Sequence, residues 1–178
     1  SASNKNGQWL VFDFGGGTFD AALIKVEDGI MQVKDTEGDN YLGGKNLDYA
    51  IVDSIIIPYL KENCSITNIM ENETTRNILR DAMKFYAEQA KNQLSFKPQA
   101  DITSQLDEVG EDDEGEEIEL DMVITQEQLA SVLTPVFQKA VDITKQLLKR
   151  NGLSGSDLDK LILVGGPTYS PVLREMLR

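Results

Sequence analysis

Apolar runs separated by glycines occupy much of the first forty positions of the chain, a pattern typical of β-strands. Gln8–Phe14 is a nearly continuous apolar run, Thr18–Val26 is a second run rich in apolar residues, and both are predicted strands joined by a glycine-rich loop. Asp28-Gly29 has the composition of a tight turn and leads into a third predicted strand, 30–36. Residues 37–44 include three glycines and are predicted to form a loop.

Helical periodicity begins after this loop. The spacing predicts a helix over 45–62, which Pro58 would bend near its last turn. The apolar positions that support it are Leu47, Ile51, Ile55 and Tyr59. A second helix is predicted over 73–94. Its expected buried face consists of Ile78, Leu79, Ala82, Phe85, Ala90 and Leu94.

Two strands, 99–106 and 117–124, are predicted to pair around an acidic tip near Gly110 and Gly115. We expect this tip to be a solvated, mobile hairpin, because the acidic residues lack the spacing of an EF-hand calcium loop. Thr125 followed by Gln128 has the pattern of a capping box and predicts a helix start.

Pro135 is expected to interrupt this helix, with Thr134 as a new N-cap. Helix then continues to Arg150, and Gly152 suits the position after its end. Residues 161–164 predict a short, fully apolar and buried strand that leads to Gly165-Gly166. Ser170-Pro171 predicts the start of a last helix.

The order of these elements predicts a mixed α/β sheet with flanking helices and an inserted α+β subdomain. The core would comprise residues 8–42 and 124–178, and residues 43–123 would form the insertion. Residues 1–7 are small and polar and lack an initiator methionine. We therefore expect a tag remnant there, at the start of a piece of a longer protein.

Composition excludes several classes of function. The chain has 178 residues and a net charge of −13, and ten acidic residues with no basic one lie between Asp107 and Asp121. The rest carries only −13 + 10 = −3, without a basic stripe, so nucleic acid is not an expected partner. Cys64 is the single cysteine and there is no histidine, which excludes a Ser-His-Asp triad and a Cys-His nucleophile. No membrane partner is expected either. We expect a cytoplasmic location.

The segment "DFGGGTFD", Asp13–Asp20, carries the strongest chemical signal. Successive glycines let backbone N–H groups converge on an anion, and Thr18 adds a hydroxyl donor. Asp13 and Asp20 could hold a divalent cation directly or through its waters. A glycine-rich hairpin without a ligand remains the alternative at this point.

Three further motifs fit a nucleotide site, although each alone also fits an ordinary connection or a solvated surface. "LVGGP" delivers two glycines at a strand end, and "GDNYLGGKNLD", Gly38–Asp48, is a glycine loop that opens a helix. Glu88, Lys91 and Ser95 lie on one face of the second helix at i, i+3 and i+7. Together the motifs favour a phosphate or nucleotide site.

In their order and spacing, these motifs resemble the ATPase domain of the DnaK-type heat shock protein 70 chaperones, within the actin and sugar-kinase superfamily. The resemblance rests on "FDFGGGTFDAALI", "GDNYLGGKNLD", "AEQAKNQLS" and "LILVGGPTYSP". It covers the second lobe only, so the first ATPase lobe and the peptide-binding domain would lie elsewhere in the parent. It implies an actin-like, ribonuclease H-like lobe that binds ATP or ADP with Mg²⁺ and belongs to an ATPase. It also implies unfolded client peptides, nucleotide-exchange factors and J-domain cochaperones as partners.

The resemblance also implies roles for individual residues. Asp13, Thr18 and Asp20 would serve catalysis, and the two carboxylates would position Mg²⁺ through water. The residues implied in nucleotide contact are Gly15, Gly16, Gly17, Thr18, Gly44, Lys45, Glu88, Lys91, Asn92, Ser95, Gly165, Gly166 and Tyr169. Asn92 and Tyr169 stand where the family usually has adenine-stacking arginines, and Lys45 stands where it commonly has an acid.

Two other functions remain open from the sequence. The same loops would serve a subunit of an actin-like or MreB-like filament, in which ATP controls assembly. They would also serve a degenerate lobe that binds nucleotide without hydrolysing it. Because the catalytic lysine and acids of the first lobe are absent from this chain, we expect the isolated chain to show no ATPase activity.

Overall fold

The structure, a computed structural model, describes residues 6–15, 18–40 and 42–164. In chain order its strands and α-helices are β1 (Gly7–Phe14), β2 (Phe19–Glu27), β3 (Ile30–Asp39), α1 (Gly44–Ile51), α2 (Ile57–Asn63), α3 (Thr67–Glu71), α4 (Glu73–Leu94), β4 (Gln99–Thr103), β5 (Asp121–Thr125), α5 (Gln126–Arg150) and β6 (Lys160–Val164). A π-helical segment, Val52–Ile56, joins α1 to α2, and a 3₁₀ turn, Gly155–Asp157, precedes β6.

The chain divides into two compact units, Ser1–Asn46 with Thr134–Arg178 and Leu47–Leu133. The sequence pattern places the insertion at 43–123, a range that overlaps the second unit, and these bounds stay a prediction. The assignment of this segment as a mobile subdomain stays a prediction.

Within the described residues, the first unit contains a four-stranded mixed sheet in the order β3-β2-β1-β6. β1 and β2 are antiparallel, as are β2 and β3, whereas β1 and β6 run parallel. Alternate side chains of β1 are fully buried, and Phe14 meets the ring of Phe137 from α5 with centroids 5.9 Å apart. This mixed sheet with flanking helices confirms the predicted fold class.

The first hairpins follow their local sequence signals. Asp28 and Gly29 have φ angles of 52° and 80°, as a two-residue hairpin turn of this kind requires. β3, however, continues to Asp39, so the predicted loop over 37–44 is wrong in its first three residues. Glu37, Gly38 and Asp39 pair with β2, and this pairing satisfies backbone groups that a loop would leave to water.

The predicted helix over 45–62 forms, but its hydrogen-bond register changes within it. Ile57 N–H donates to the carbonyl of Val52, five residues earlier, and α2 then begins with Pro58 in its first turn. Pro58 is tolerated there because a proline near a helix start removes an N–H that the helix does not need. The short helix α3 has no clear apolar pattern, and sequence reasoning missed it.

The bounds of α4 match the predicted 73–94, but half of its predicted buried face is wrong. Ile78, Ala82 and Phe85 are exposed. The buried residues are Leu79, Met83, Tyr86, Ala87, Ala90 and Leu94. Ile78, Ala82 and Phe85 themselves lie at i, i+4 and i+7, so periodicity alone fits two stripes of this helix. Packing against the rest of the unit selects one of them.

Helix α5 begins with the predicted capping box. Thr125 N–H donates to Gln128 Oε1 at 2.9 Å, and Gln128 N–H donates to Thr125 Oγ1 at 3.2 Å. The predicted break at Thr134-Pro135 is wrong, because α5 runs through Pro135 to Arg150. Leu133 and Phe137 are fully buried on either side, and this burial offsets the lost backbone bond. Gly152 has a φ of 71° after the helix end, as expected.

The predicted strands 99–106 and 117–124 are shorter than expected, because only β4 and β5 form a continuous ladder. The acidic tip between them is not simply solvated. Asp113 accepts the N–H groups of Asn68 at 2.8 Å and Ile69 at 3.2 Å, and Asp112 accepts that of Ser65 at 3.2 Å. Part of the acidity therefore serves to attach the tip to α3.

β6 is less buried than predicted. Leu161 and Val164 are 40% and 43% exposed, whereas the apolar run predicted a fully buried strand. β6 lies at the end of the strand order, so within the described part of the chain only β1 pairs with it. Its predicted continuation, Gly165-Gly166 and a helix from Ser170-Pro171, lies outside the described residues.

Candidate functional site

In the first unit, all four strands have an end at the same edge of the sheet. Phe14 at the end of β1 is opposite Phe19 at the start of β2, which in turn is opposite Asp39 at the end of β3. Val164 at the end of β6 is beside Asp13. The segments predicted to contact phosphate therefore begin or end at this edge, which we call the phosphate edge.

Asp13 and Asp20 are direct cross-strand partners at the phosphate edge. Opposite residues of an antiparallel pair project from the same face of the sheet. Because Phe12 and Phe14 are buried in the core, Asp13 lies on the other face of β1. Asp13 is half-buried and Asp20 is exposed, so both carboxylates can meet a ligand from solvent.

Gly38 on β3 gives the carboxylate of Asp20 its space. A Cβ at this position would lie 2.5 Å from Asp20 Oδ1 and 2.7 Å from the carbonyl oxygen of Phe19. No real Cβ sits that close to either atom. The strand pairing requires a glycine here, and sequence reasoning had assigned Gly38 to a loop.

The glycine loop is closed by one backbone bond, from Gly15 N–H to the carbonyl oxygen of Thr18 at 2.8 Å. Thr18 is exposed and lies beside the paired carboxylates. Gly16 and Gly17, predicted to contact phosphate, lie outside the described residues, as do Gly165, Gly166 and Tyr169. The structure thus brings Asp13, Gly15, Thr18 and Asp20 together.

A second glycine segment starts α1. Gly43 N–H donates to Asn46 Oδ1 at 3.0 Å, and Asn46 N–H donates to the carbonyl oxygen of Gly43 at 3.0 Å. This reciprocal pair fixes the backbone on both sides of Gly44 and Lys45. Lys45 is exposed.

In the second unit, α4 carries the predicted nucleoside-contact residues on one face. Glu88 and Asn92 are exposed one turn apart, whereas Lys91 is mostly buried. Ser95 follows the end of the helix, and its hydroxyl donates to the carbonyl oxygen of Asn92 at 2.6 Å. The hydroxyl of Ser95 thus caps α4 in addition to any contact with a ligand.

Asp48 lies on α1 and contacts this face of α4 through Lys91, and it is the main residue here that sequence reasoning missed. Its Oδ1 lies 2.8 Å from Nζ of Lys91, and the two side chains are 7% and 16% exposed. Burial raises the pKa of the Asp48 carboxyl, and the neighbouring Lys91 ammonium opposes this shift. One sequence signal could have indicated its burial: Asp48 directly follows Leu47, which belongs to the apolar stripe of the predicted helix.

The two carboxylates at the phosphate edge fit a magnesium ion. Mg²⁺ typically keeps several waters and binds through one or two carboxylates, and Asp13 and Asp20 supply that number from one face of the sheet. Within the ranges that the structure describes, no group of three acidic or sulfur ligands is placed to hold a metal by itself. None of the helices in these ranges is long and apolar enough to cross a membrane.

The mixed sheet with its flanking helices is compatible with one class of fold, the lobe of an actin-like ATPase. A family model described as Hsp70 protein matches residues 1–178. The chain therefore belongs to the Hsp70 family, and it is part of a chaperone nucleotide-binding domain. This confirms the predicted family and nucleotide binding as a property of such domains, whereas the roles of the individual site residues stay predictions.

Proposed function

We propose that this chain is the second lobe of the nucleotide-binding domain of a DnaK-like chaperone. In that parent protein, ATP binding and hydrolysis would switch a peptide-binding domain between weak and tight holding of unfolded clients. The single observation that carries the proposal is the alignment of Asp13 with Asp20 beside the closed glycine loop. Membership of the Hsp70 family supports it.

At the phosphate edge, backbone N–H groups of the glycine loop and the Thr18 hydroxyl would donate to phosphate oxygens of ATP. Asp13 and Asp20 would hold Mg²⁺ through its waters, and the ion would offset negative charge on the phosphates. The carboxylates would also accept hydrogen bonds from the attacking water and orient it. This edge would be half of a phosphate clamp, and the first lobe of the parent would supply the other half.

On α4, Glu88 and Lys91 would hydrogen-bond the nucleoside, and Asn92 would approach the adenine without the cation that the family usually places there. We expect adenine affinity or base selectivity to differ from that of other family members, because an amide cannot make a cation–π contact. We also propose that the parent protein works with J-domain cochaperones and nucleotide-exchange factors and that it is located in the cytoplasm.

The central test is ATP turnover by the full-length parent protein with Asp13→Asn. Turnover should fall by about 100-fold or more, because the substitution removes charge from a site that stabilises phosphate transfer. Asp28→Asn is the matched control: it makes the same chemical change at the opposite end of β2, and asparagine tolerates the φ of 52° there. Equal turnover by Asp13→Asn and wild type would contradict the proposal.

A second test separates chaperone from filament function. ATP should release a bound peptide from the full-length protein, and the protein should stay in the supernatant when it is centrifuged with ATP. Nucleotide-dependent sedimentation without peptide release would favour a filament protein. The isolated chain should show no turnover above background, and turnover equal to that of the two-lobed protein would contradict the division of the active site between lobes.

A further inference from the structure

Asp48 is unusual among the described residues because its carboxylate is buried. Only Asp48 and Thr144 are buried polar or charged residues in the ranges described, each 5% exposed. Thr144 donates its hydroxyl to the carbonyl oxygen of Ala140 within α5, which accounts for its burial. Asp48 carries a charge, and a buried charge is costly unless it is paired.

The partner of Asp48 is Lys91, at 2.8 Å. The contact is an ion pair rather than a well-aligned hydrogen bond, because Asp48 Oδ1 has no partner with hydrogen-bond geometry among the described residues. Such a pair is a poor device for stability, since desolvation of both charges offsets much of their attraction. Its presence therefore calls for another role.

The position of the pair indicates that role. Lys91 belongs to the α4 face that also carries Glu88 and Asn92, and an ammonium has three N–H donors. The ion pair with Asp48 occupies one side of the ammonium, and the N–H donors that point elsewhere can bind another group. We propose that Asp48 is a positioning residue, which holds Lys91 so that its remaining donors meet a ribose hydroxyl of the nucleotide. This inference rests on the proposed function and extends it to a residue that does not itself contact the ligand.

A second ion pair, between α4 and the π-helical segment that follows α1, provides a comparison. Arg80 on α4 binds Asp53 in the π-helical segment, with Nε–Oδ1 and Nη2–Oδ2 distances of 2.8 Å and 2.9 Å. The side chains of Arg80 and Asp53 are 29% and 48% exposed, respectively. Arg80 lies eight residues before Glu88 and belongs to none of the predicted contacts. Asp53→Asn therefore reproduces the loss of a carboxylate partner without touching Lys91.

The first experiment measures ADP binding by calorimetry in the full-length parent protein. Asp48→Asn should weaken binding about tenfold, the loss expected when one charged contact is misplaced. The preference for ADP over its 2′-deoxy and 3′-deoxy analogues should fall as well. Asp53→Asn should leave affinity and preference unchanged. Wild-type affinity and ribose preference in Asp48→Asn would overturn the inference.

A double-mutant cycle tests whether Asp48 acts through Lys91. Lys91→Met should weaken ADP binding, and Asp48→Asn should have no further effect on affinity in that background. The double variant buries no unpaired charge, and in Lys91→Met burial favours the neutral form of the Asp48 carboxyl, so the comparison does not depend on whether Asp48→Asn alone folds. A further loss of affinity in the double variant would show that Asp48 acts independently and would overturn the inference.

The outcomes also separate this inference from the proposed function. Failure of the wild-type protein to bind ADP would contradict the proposed function itself. Normal binding by wild type, with equal affinity in Asp48→Asn, would leave the proposed function intact and reject only the role of Asp48.

Discussion

The two units hold their carboxylates in different ways. In the first unit, Asp13 and Asp20 are aligned by strand register, and Gly38 provides the space for one of them. In the second unit, Asp48 is held by an ammonium and Asp113 by backbone N–H groups. The phosphate edge is thus shaped by strand pairing, whereas the carboxylates of the second unit are held by individual partner groups, an ammonium or backbone N–H donors.

This difference suits the ligand atoms that each region is proposed to meet. Phosphate charge is compact and is best met by fixed backbone donors and a metal ion. Ribose hydroxyls vary in direction and are best met by side chains whose own partners orient them. Substitutions that disrupt strand packing should therefore destabilise the phosphate edge. In the second unit, the largest effects should come from substitutions that remove the partner of a carboxylate.

The largest effect should follow from Phe14→Ala, which removes packing directly beneath the phosphate edge. Phe14 is fully buried, and its ring centroid lies 5.3 Å from that of Phe19 and 5.9 Å from that of Phe137. We expect a loss of about 3–5 kcal/mol in the free energy of unfolding, measured by urea denaturation. Phe96→Ala makes the same change at a ring that is 73% exposed and should cost little. Equal losses for the two variants would contradict the described packing.

Gly38→Ala should have the next largest effect. The new Cβ must displace the Phe19 carbonyl or the Asp20 carboxylate, at a cost of about 1–3 kcal/mol in the free energy of unfolding. ATP turnover by the full-length protein should fall as well, because Asp20 is the more easily moved group. Gly155→Ala is the control, since a Cβ there would have no heavy atom within 4 Å. Normal turnover and stability in Gly38→Ala would break the claim that strand register shapes this edge.

Local sequence signals predicted several features of both units. The glycine loop, the Asp28-Gly29 turn and the bounds of α4 each depend on residues close together in the chain. The missed features depend on distant partners: Asp113 meets Asn68 across 45 positions, and Asp48 meets Lys91 on another helix. The choice between two apolar stripes of α4 depends on which of them the rest of the unit covers. No local pattern contains that information.

Asp113→Ala tests the contact that attaches the acidic tip of the second unit to α3. The substitution leaves the N–H groups of Asn68 and Ile69 at the start of α3 without their acceptor, which should cost about 1 kcal/mol in the free energy of unfolding. Glu114→Ala, the control at the adjacent position, should change it by less than about 0.5 kcal/mol. Hydrogen exchange at Asn68 and Ile69 should rise only in Asp113→Ala. Unchanged exchange there would mean that the tip does not hold α3.

The smallest effect concerns a carboxylate in the first unit that is held by side-chain partners. Arg150 binds Asp35 at 2.8 Å and Glu37 at 2.6 Å, and hydrogen bonds from Arg150 and then Asn151 lower the pKa of Asp35 from 3.8 to about 2. Since the folded state holds this pKa down, the stabilisation is complete above the unfolded value and disappears as pH falls from about 4 towards 2. Arg150→Gln should therefore lower the urea midpoint at pH 6 and match wild type more closely near pH 2.

Lys149→Gln removes the same charge one residue earlier and controls for net charge. The effect of Arg150→Gln should be small, because the side chains of Arg150 and Asp35 are 48% and 29% exposed and solvent screens their attraction. Identical pH profiles for Arg150→Gln and Lys149→Gln would show that the pair adds nothing to stability. A difference between the two urea midpoints that depends on pH would show that Arg150 stabilises the first unit through its contacts with β3.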